Sequence, residues 1–348
     1  PYNPKPKDPI GSNATAIAPS RTEDGSTYLI INSHQPLTGP VAWYEAHLQS
    51  GEGLDVMGGL FPGAPTIGVG FTKEHGWGAT VNKPDLVDIY VLEMNPDDPN
   101  QYRLDGEWQN LEVSKVKLKL KLWGFFPWSV SREVLRSVHG PALRTDHGVY
   151  AIRYAGMDEM KQVEQWLAMN KAKNFEEWQA AIALNYIQSF NFVYANRHGD
   201  IHFIHNAQLP MRAPNWQWDQ YLPGDRSDLI WDAYHPTSSL PQVTNPSSGF
   251  VHSANQTPFN ITAASDNPRQ RDVPANGGWQ TRMTNRATRG LELFEDFGEI
   301  SFDEAWQLKH DNSYSINYRG IAFLQQVTSL PKTSDRIAEA MAELFHKK

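Results

Sequence analysis

The residues of this chain that could do chemistry avoid the common arrangements. A serine-hydrolase G-x-S-x-G elbow, an H-E-x-x-H zinc helix, a P-loop and a dinucleotide-binding G-x-G-x-x-G are all missing. Cysteine is absent, which removes disulfides, thiolate metal sites and cysteine nucleophiles together. The closely spaced His198, His202 and His205 invite a metal reading. On a strand, however, His202 and His205 fall on opposite faces and His198 lies in the preceding turn, so the three do not converge. The alternation from Lys115 to Leu122 puts four lysines on one strand face and four aliphatics on the other. As chemistry that would be an anion or membrane patch. A solvated sheet face, protected by its charges from edge pairing, is the simpler account.

The elements that must position any site follow from composition and pattern. The chain has 348 residues, a formal charge of −8 and only 20% charged residues, a poor match to a surface that grasps phosphate backbones. Its 12 Trp, 13 Tyr and 15 Phe give ample core material, and no apolar run approaches the roughly 18 residues that span a bilayer. Nucleic acid and membrane are therefore not expected as partners. Length alone suggests about two domains at roughly 150 residues each, or one large unit. The first half reads as strands and turns, with Tyr28–Ile31 a short apolar run of the buried central type. Helices are predicted from Asp158 to Lys171, from an Asn174/Glu177 capping pattern, over Thr281–Asp296, from a Ser301/Glu304 capping box, and over Ser334–Phe345. Phe190–Ala195 and Ile201–Ile204 read as two strands around the turn 198–200. After them, Leu209 to Pro274 is irregular, but its tryptophans predict packing rather than disorder.

One constellation is more specific. Gly11-Ser12-Asn13-Ala14 precedes Ala16-Ile17-Ala18-Pro19-Ser20-Arg21-Thr22-Glu23-Asp24-Gly25, then a strand, then Asn32-Ser33-His34. Further along come Trp43-Tyr44-Glu45-Ala46-His47-Leu48, Ala79-Thr80-Val81-Asn82, Val138-His139-Gly140-Pro141, Pro223-Gly224-Asp225 and Leu240-Pro241-Gln242-Val243-Thr244-Asn245-Pro246. This ordered set resembles the penicillin acylase family of N-terminal-nucleophile amide hydrolases. It looks most like the cephalosporin (glutaryl) acylases, and is also similar to penicillin G acylase and the acyl-homoserine-lactone acylases. The resemblance implies an α+β fold of four αββα layers. It also implies self-processing between Gly11 and Ser12, so that residues 1–11 read as a spacer tail and 12–348 as the first part of a β-subunit. The partners implied are an α-subunit and the remaining β-subunit of the same precursor, with a periplasmic or secreted location.

By that resemblance Ser12 is the nucleophile. Freed at a chain terminus, it would carry its own base, since an α-amine of pKa about 7.7–8.0 can accept the hydroxyl proton near neutrality. The Val81 backbone N–H and the Asn255 side-chain amide would form the oxyanion hole. His34 matches a histidine that positions the serine, and Arg286 matches a supporting arginine. Tyr44 and Phe190 would line the acyl pocket, with Gly68 where the glutaryl enzymes place an arginine and Gln35 where the family often has an aromatic. Asp85, Val87, Asp88, Pro210 and Asp266 match a structural Ca²⁺ site whose oxygen-only ligands suit a hard ion. No organic cofactor is implied. The activity expected is hydrolysis of a small N-acyl amide through an acyl-enzyme. An acyl-homoserine lactone is an alternative substrate, and a non-catalytic or unprocessed ligand-binding relative is the rival class.

Overall fold

A computed structural model describes residues 11–157, 159–263, 265–318 and 320–329. The first sheet is built by β1 (Gly11–Ile17), β2 (Tyr28–His34) and a late strand. There follow β3 (Tyr44–Gln49), β4 (Asp55–Leu60), β5 (Val69–Phe71), β6 (His75–Thr80) and β7 (Val87–Leu92). A hairpin of β8 (Gln101–Leu104) and β9 (Glu107–Asn110) leads into the long β10 (Glu112–Leu122) and β11 (Phe126–Ser137). Next come β12 (Gly140–Thr145) and β13 (Gly148–Tyr154), then helices α1 (Gln162–Lys171) and α2 (Phe175–Ala183). The second half supplies β14 (Ser189–Asn196), β15 (Ile201–Ala207), β16 (Leu222–Pro223), β17 (Gln242–Thr244) and β18 (Phe250–Ser253). It closes with α3 (Asn285–Asp296), α4 (Phe302–Lys309) and α5 (Gly320–Ser329).

Two sheets face one another. One has the order β18-β1-β2, and the other runs β17-β15-β14-β6-β5-β4-β3. Strand alternation divides their side chains. Ala14, Ala16, Val193, Phe203 and Val251 fill the space between the sheets. Trp77, Phe192 and Tyr194 point outward to meet Met169 of α1 and Trp178 of α2. Ile17 and Phe250 point outward on the other side to meet Leu291 and Phe294 of α3. Helices, sheet, sheet and helices make four layers, the αββα arrangement expected. A third sheet, ordered β10-β11-β12-β13-β7-β16, has its own core around Tyr90, Trp218, Leu222 and Trp231, so much of the irregular stretch after Leu209 is packed.

Local signals were read with uneven success. Asn174 caps α2 by accepting from the Glu177 N–H at 2.8 Å, and Ser301 and Glu304 form a full capping box on α4. The hairpin around residues 198–200 is β14 and β15. Four expectations need correction. Tyr28–Ile31 lies in an edge strand of half-buried residues, because β1 takes the central place between β2 and β18. The first helix starts at Gln162, with Asp158 outside the described residues. The third starts at Asn285, capped by Thr284, rather than at Thr281. On β10 both faces are exposed, aliphatic as well as lysine, because the ribbon it makes with β11 extends past the other strands of its sheet. The predicted helix 334–345 lies outside the described residues, and α5 was not foreseen. Among the described residues no helix is long and apolar enough to cross a membrane.

The two facing sheets come closest at Gly78 of β6, where a β-carbon would sit 2.8 Å from the Ala14 β-carbon and 3.2 Å from Ile31. Both neighbours belong to the sheet that carries Ser12, so the approach sets the depth of the nucleophile strand. Gly78→Val should overpack this contact and destabilise the fold by about 1–3 kcal/mol. The midpoint of chemical denaturation should fall accordingly, and an unchanged midpoint would mean that the sheets separate freely here.

Candidate active site

Ser12 is the second residue of β1, 3% exposed, and sits opposite Ser33 of β2. Gly11 pairs with His34 in the same register, so the Gly11–Ser12 peptide is an ordinary rung of the sheet. The Ser12 hydroxyl donates to the Gly11 carbonyl oxygen at 2.6 Å, which lays it against the peptide it would attack. The Ser12 N–H donates to Asn255 Oδ1 at 2.8 Å. Glycine at position 11 is required by space. A β-carbon there would lie 2.8 Å from Arg286 Nη2 and 3.1 Å from His34 Nδ1.

Asn255 joins the pieces. It lies just past β18 with φ +62°, a left-handed conformation that asparagine tolerates better than most residues. Its Oδ1 accepts from Ser12 N–H and from Arg286 Nη2 at 2.8 Å, while its Nδ2 donates to the Val81 carbonyl at 2.7 Å. Flipping the amide would set two donor groups against its nitrogen, so the assignment follows from the partners. One Nδ2 hydrogen serves Val81 and one is left over, which is what a second oxyanion donor requires. Arg286, in the first turn of α3, also donates to the Ser12 carbonyl at 2.5 Å and to Asn13 Oδ1. Burial holds its pKa below the usual arginine value. His34 stands against Gly11, and its Nε2 accepts from Asn32 Nδ2 at 3.3 Å. Burial first, and Arg286 second, lower its pKa, which favours the neutral ring. It faces Gly11, the residue before Ser12, while the Ser12 hydroxyl turns to the Gly11 carbonyl.

A cavity of about 400 Å³ opens beside Ser12, lined by Ser33, Gln35, Trp43, Phe61, Gly68, Val81, Trp166 and Phe190. Phe190 takes the place expected of it, edge-on to Trp166 at 6.2 Å. Tyr44 does not line this cavity. It is 64% exposed, because adjacent residues of an extended chain face opposite ways and Trp43 is the one turned inward. Trp43 stacks on Phe61 at 4.5 Å between ring centres, 6° from parallel. Gly68 is in the wall beside Trp43, and a β-carbon there would meet the Trp43 ring at 3.4 Å, an ordinary van der Waals contact.

Sequence reasoning missed what lies beneath the oxyanion donors. Thr80, next to Val81, meets Ser253, two residues before Asn255, with 2.7 Å between hydroxyl oxygens. Asn191, next to Phe190, donates to Thr80 at 3.1 Å. All three are buried, and they tie β6, β14 and β18 together. The one signal was Asn191 itself, a polar residue inside the apolar run Phe190–Ala195, since a buried amide must find partners. Trp43, Phe61 and Trp166 carried no signal beyond their type.

Of the five residues expected to hold calcium, Asp85 and Asp88 meet on Arg212, while Asp266 and Pro210 have other partners. Asp88 Oδ2 accepts from Arg212 Nε at 2.9 Å and from Trp231 Nε1 at 2.6 Å. Asp85 Oδ1 lies 3.3 Å from Arg212 Nη2. Asp266 is bound to Ser247 Oγ at 2.5 Å and to the Ser248 N–H, and Pro210 forms a bridge with Tyr234. Val87 starts β7 with an exposed side chain. Calcium takes six to eight oxygens at about 2.3–2.6 Å, and here a guanidinium stands between the two carboxylates instead. Among the described residues no group of three or more His, Asp or Glu is placed to hold a metal ion. His202 and His205 are fully buried with pKa values pushed down to about 3 by desolvation, so both are neutral core residues.

Comparison with known proteins agrees with this arrangement. The chain is 34% identical over 179 residues to an acyl-homoserine lactone acylase PvdQ of Pseudomonas fluorescens strain Pf0-1, covering 49% of this chain and 23% of that protein. It is 26% identical over 335 residues to penicillin G acylase of Escherichia coli, covering 94% of this chain and 38% of that protein. The chain thus spans well under half the length of the curated relatives it matches. A solved structure of a thermostable penicillin G acylase from Alcaligenes faecalis superposes with a TM-score of 0.74 at 25% identity, over 96% of this chain and 59% of that one. The penicillin amidase family model matches residues 2–345, nearly the whole sequence. With the sheet pair, the Gly11–Ser12 junction and the Asn255 hub already in place, this chain belongs to the penicillin amidase family.

Proposed function

We propose that the processed protein hydrolyses N-acyl amides, with Ser12 as an N-terminal nucleophile. The single observation that carries the reading is Asn255, which receives the Ser12 nitrogen on one side and approaches Val81 on the other. Once the Gly11–Ser12 bond is cut, the nitrogen held by Asn255 becomes an amine and can take the hydroxyl proton. The hydroxyl then attacks the acyl carbonyl at the mouth of the cavity. Negative charge developing on the carbonyl oxygen meets the Val81 N–H and the spare Asn255 hydrogen. The amine returns its proton to the leaving group, and water repeats the sequence on the acyl-enzyme. Relatives named as acyl-homoserine lactone acylases and penicillin G acylase support acyl amides as the substrate class. The aromatic cavity favours an apolar acyl group, gaining about 25 cal/mol per Å² buried. The α-subunit, the rest of the β-subunit and export to the periplasm or medium belong to this reading on family resemblance alone.

Processing supplies the first test. Ser12→Ala should leave the junction uncut and the protein inactive. Gly11→Val should also block cleavage, because its side chain would displace Arg286 and His34. Full turnover of an acyl-anilide by protein still carrying residues 1–11 would refute the mechanism, and mass spectrometry reads the state of the chain.

The base supplies a second. Arg286 is a cation beside the Ser12 nitrogen, so it disfavours the ammonium form and keeps the amine usable at lower pH. The amine must be neutral to act, and removing the cation raises its pKa. Arg286→Met, once processed, should therefore move the acidic limb of the kcat/KM profile upward by roughly one pH unit. A limb that stays in place would detach Arg286 from the base.

The cavity supplies a third. Aliphatic and arylacetyl amides should exceed glutaryl amides in kcat/KM, since a distal carboxylate would be buried without a partner. Trp43→Ala should extend the range to longer acyl chains, because Trp43 fills the space beside Gly68. Gly68→Arg should shift the preference towards glutaryl, since a side chain can leave position 68 in ordinary contact with Trp43. A wild-type preference for glutaryl would place the charge partner elsewhere.

A further inference from the structure

The loop that leaves the oxyanion strand must be anchored to the body, and the anchor here is a side chain. Arg212 has a fully buried side chain and reaches three segments. Nε donates to Asp88 Oδ2 at 2.9 Å, Nη2 lies 3.3 Å from Asp85 Oδ1, and Nη1 donates to the Asn276 carbonyl at 2.9 Å. The Asp85 N–H donates to the Gly277 carbonyl at 3.0 Å, so the 276–277 turn is tied to the same place twice. Trp231 donates to the Asp88 oxygen that Arg212 uses, and the Trp218 ring lies 5.5 Å from the guanidinium carbon. The stretch holding Asp85 and Asp88, the 276–277 turn and Trp218 therefore meet on one planar cation, with Trp231 on the carboxylate it holds.

We propose that the Arg212 guanidinium is the built-in structural cation of this junction, standing where family resemblance would put Ca²⁺ and making the fold independent of a metal at that point. The chemistry favours this occupant. Arginine stays charged when buried, and its fork matches two acceptors in different directions, as found here. A divalent ion at Asp85 and Asp88 would be set beside this fixed positive charge; Asp88 Oδ2 and Asp85 Oδ1 are already engaged, while Asp88 Oδ1 is buried without a hydrogen-bond partner among the described residues. Asp266, the remaining acidic member of the expected set, is engaged with Ser247 and Ser248 and is not drawn in. The tie expected of the ion, between the loop after β6 and the chain after Asn255, is the one Arg212 makes.

The test uses the full processed protein and does not depend on its activity. After dialysis, elemental analysis should find no stoichiometric calcium, and the Tm should be the same in EGTA and in added CaCl₂. Arg212→Met should lower the Tm by several degrees, because it strands the buried Asp88 carboxylate without its cation. The double variant Arg212→Met with Asp88→Leu should recover part of that loss, as removal of both partners leaves no buried charge. Stoichiometric calcium with a Tm that falls in EGTA would overturn the proposal, as would an Arg212→Met protein with wild-type Tm. If Arg212→Met fails to fold, the metal and chelator measurements on the wild type still decide.

Discussion

The site depends on the side-chain amide of Asn255. Its oxygen takes the Ser12 nitrogen and the Arg286 guanidinium, and its nitrogen gives to Val81. These three partners come from β1, from α3 and from the end of β6, which are distant in sequence and lie in three of the four layers. An amide can serve all three because it is both acceptor and donor with fixed geometry. A carboxylate would lose the bond to Val81, and an aliphatic residue would lose all of them.

The rest of the fold keeps that amide in position. Its backbone is left-handed, a conformation that asparagine accepts, so β18 can end and turn the side chain back over β1. Beneath it, the buried hydroxyls of Thr80 and Ser253, with Asn191, fix the spacing between the strand that carries Val81 and the strand that leads to Asn255. Thr80 and Ser253 satisfy one another and both receive the Asn191 amide nitrogen, while Asn191 Oδ1 is buried without a partner among the described residues. The same β14 carries Phe190 into the cavity beside Ser12, so the cavity wall and the Thr80–Ser253 support share one strand.

The charge pattern separates chemistry from architecture. Beside Ser12 a single buried cation, Arg286, sits near groups that are neutral, which suits an amine that must lose its proton. At the loop after β6 a second buried cation, Arg212, sits between carboxylates, which suits a joint that must not move. His202, His205 and His252 are held neutral in the core by desolvation, each with a pKa pushed to about 3. A histidine in this chain is thus more often a packing residue than a proton carrier.

The sequence by itself determined the residues whose constraint is local or whose order is diagnostic. The Ser301 and Asn174 caps and the hairpin around residues 198–200 could be read because turn and cap chemistry act over a few residues. Ser12, His34, Val81, Asn255 and Arg286 could be named from the order of motifs along the chain, and the structure brings them together. Tertiary packing alone decided which of two neighbours faces the cavity, and so Trp43 took the place expected of Tyr44. It decided that Trp43 stands beside Gly68, and that β1 rather than β2 is the central strand. It also placed a guanidinium between Asp85 and Asp88. Each of these depends on which distant segment occupies a given volume, and spacing along a chain carries no information about volume.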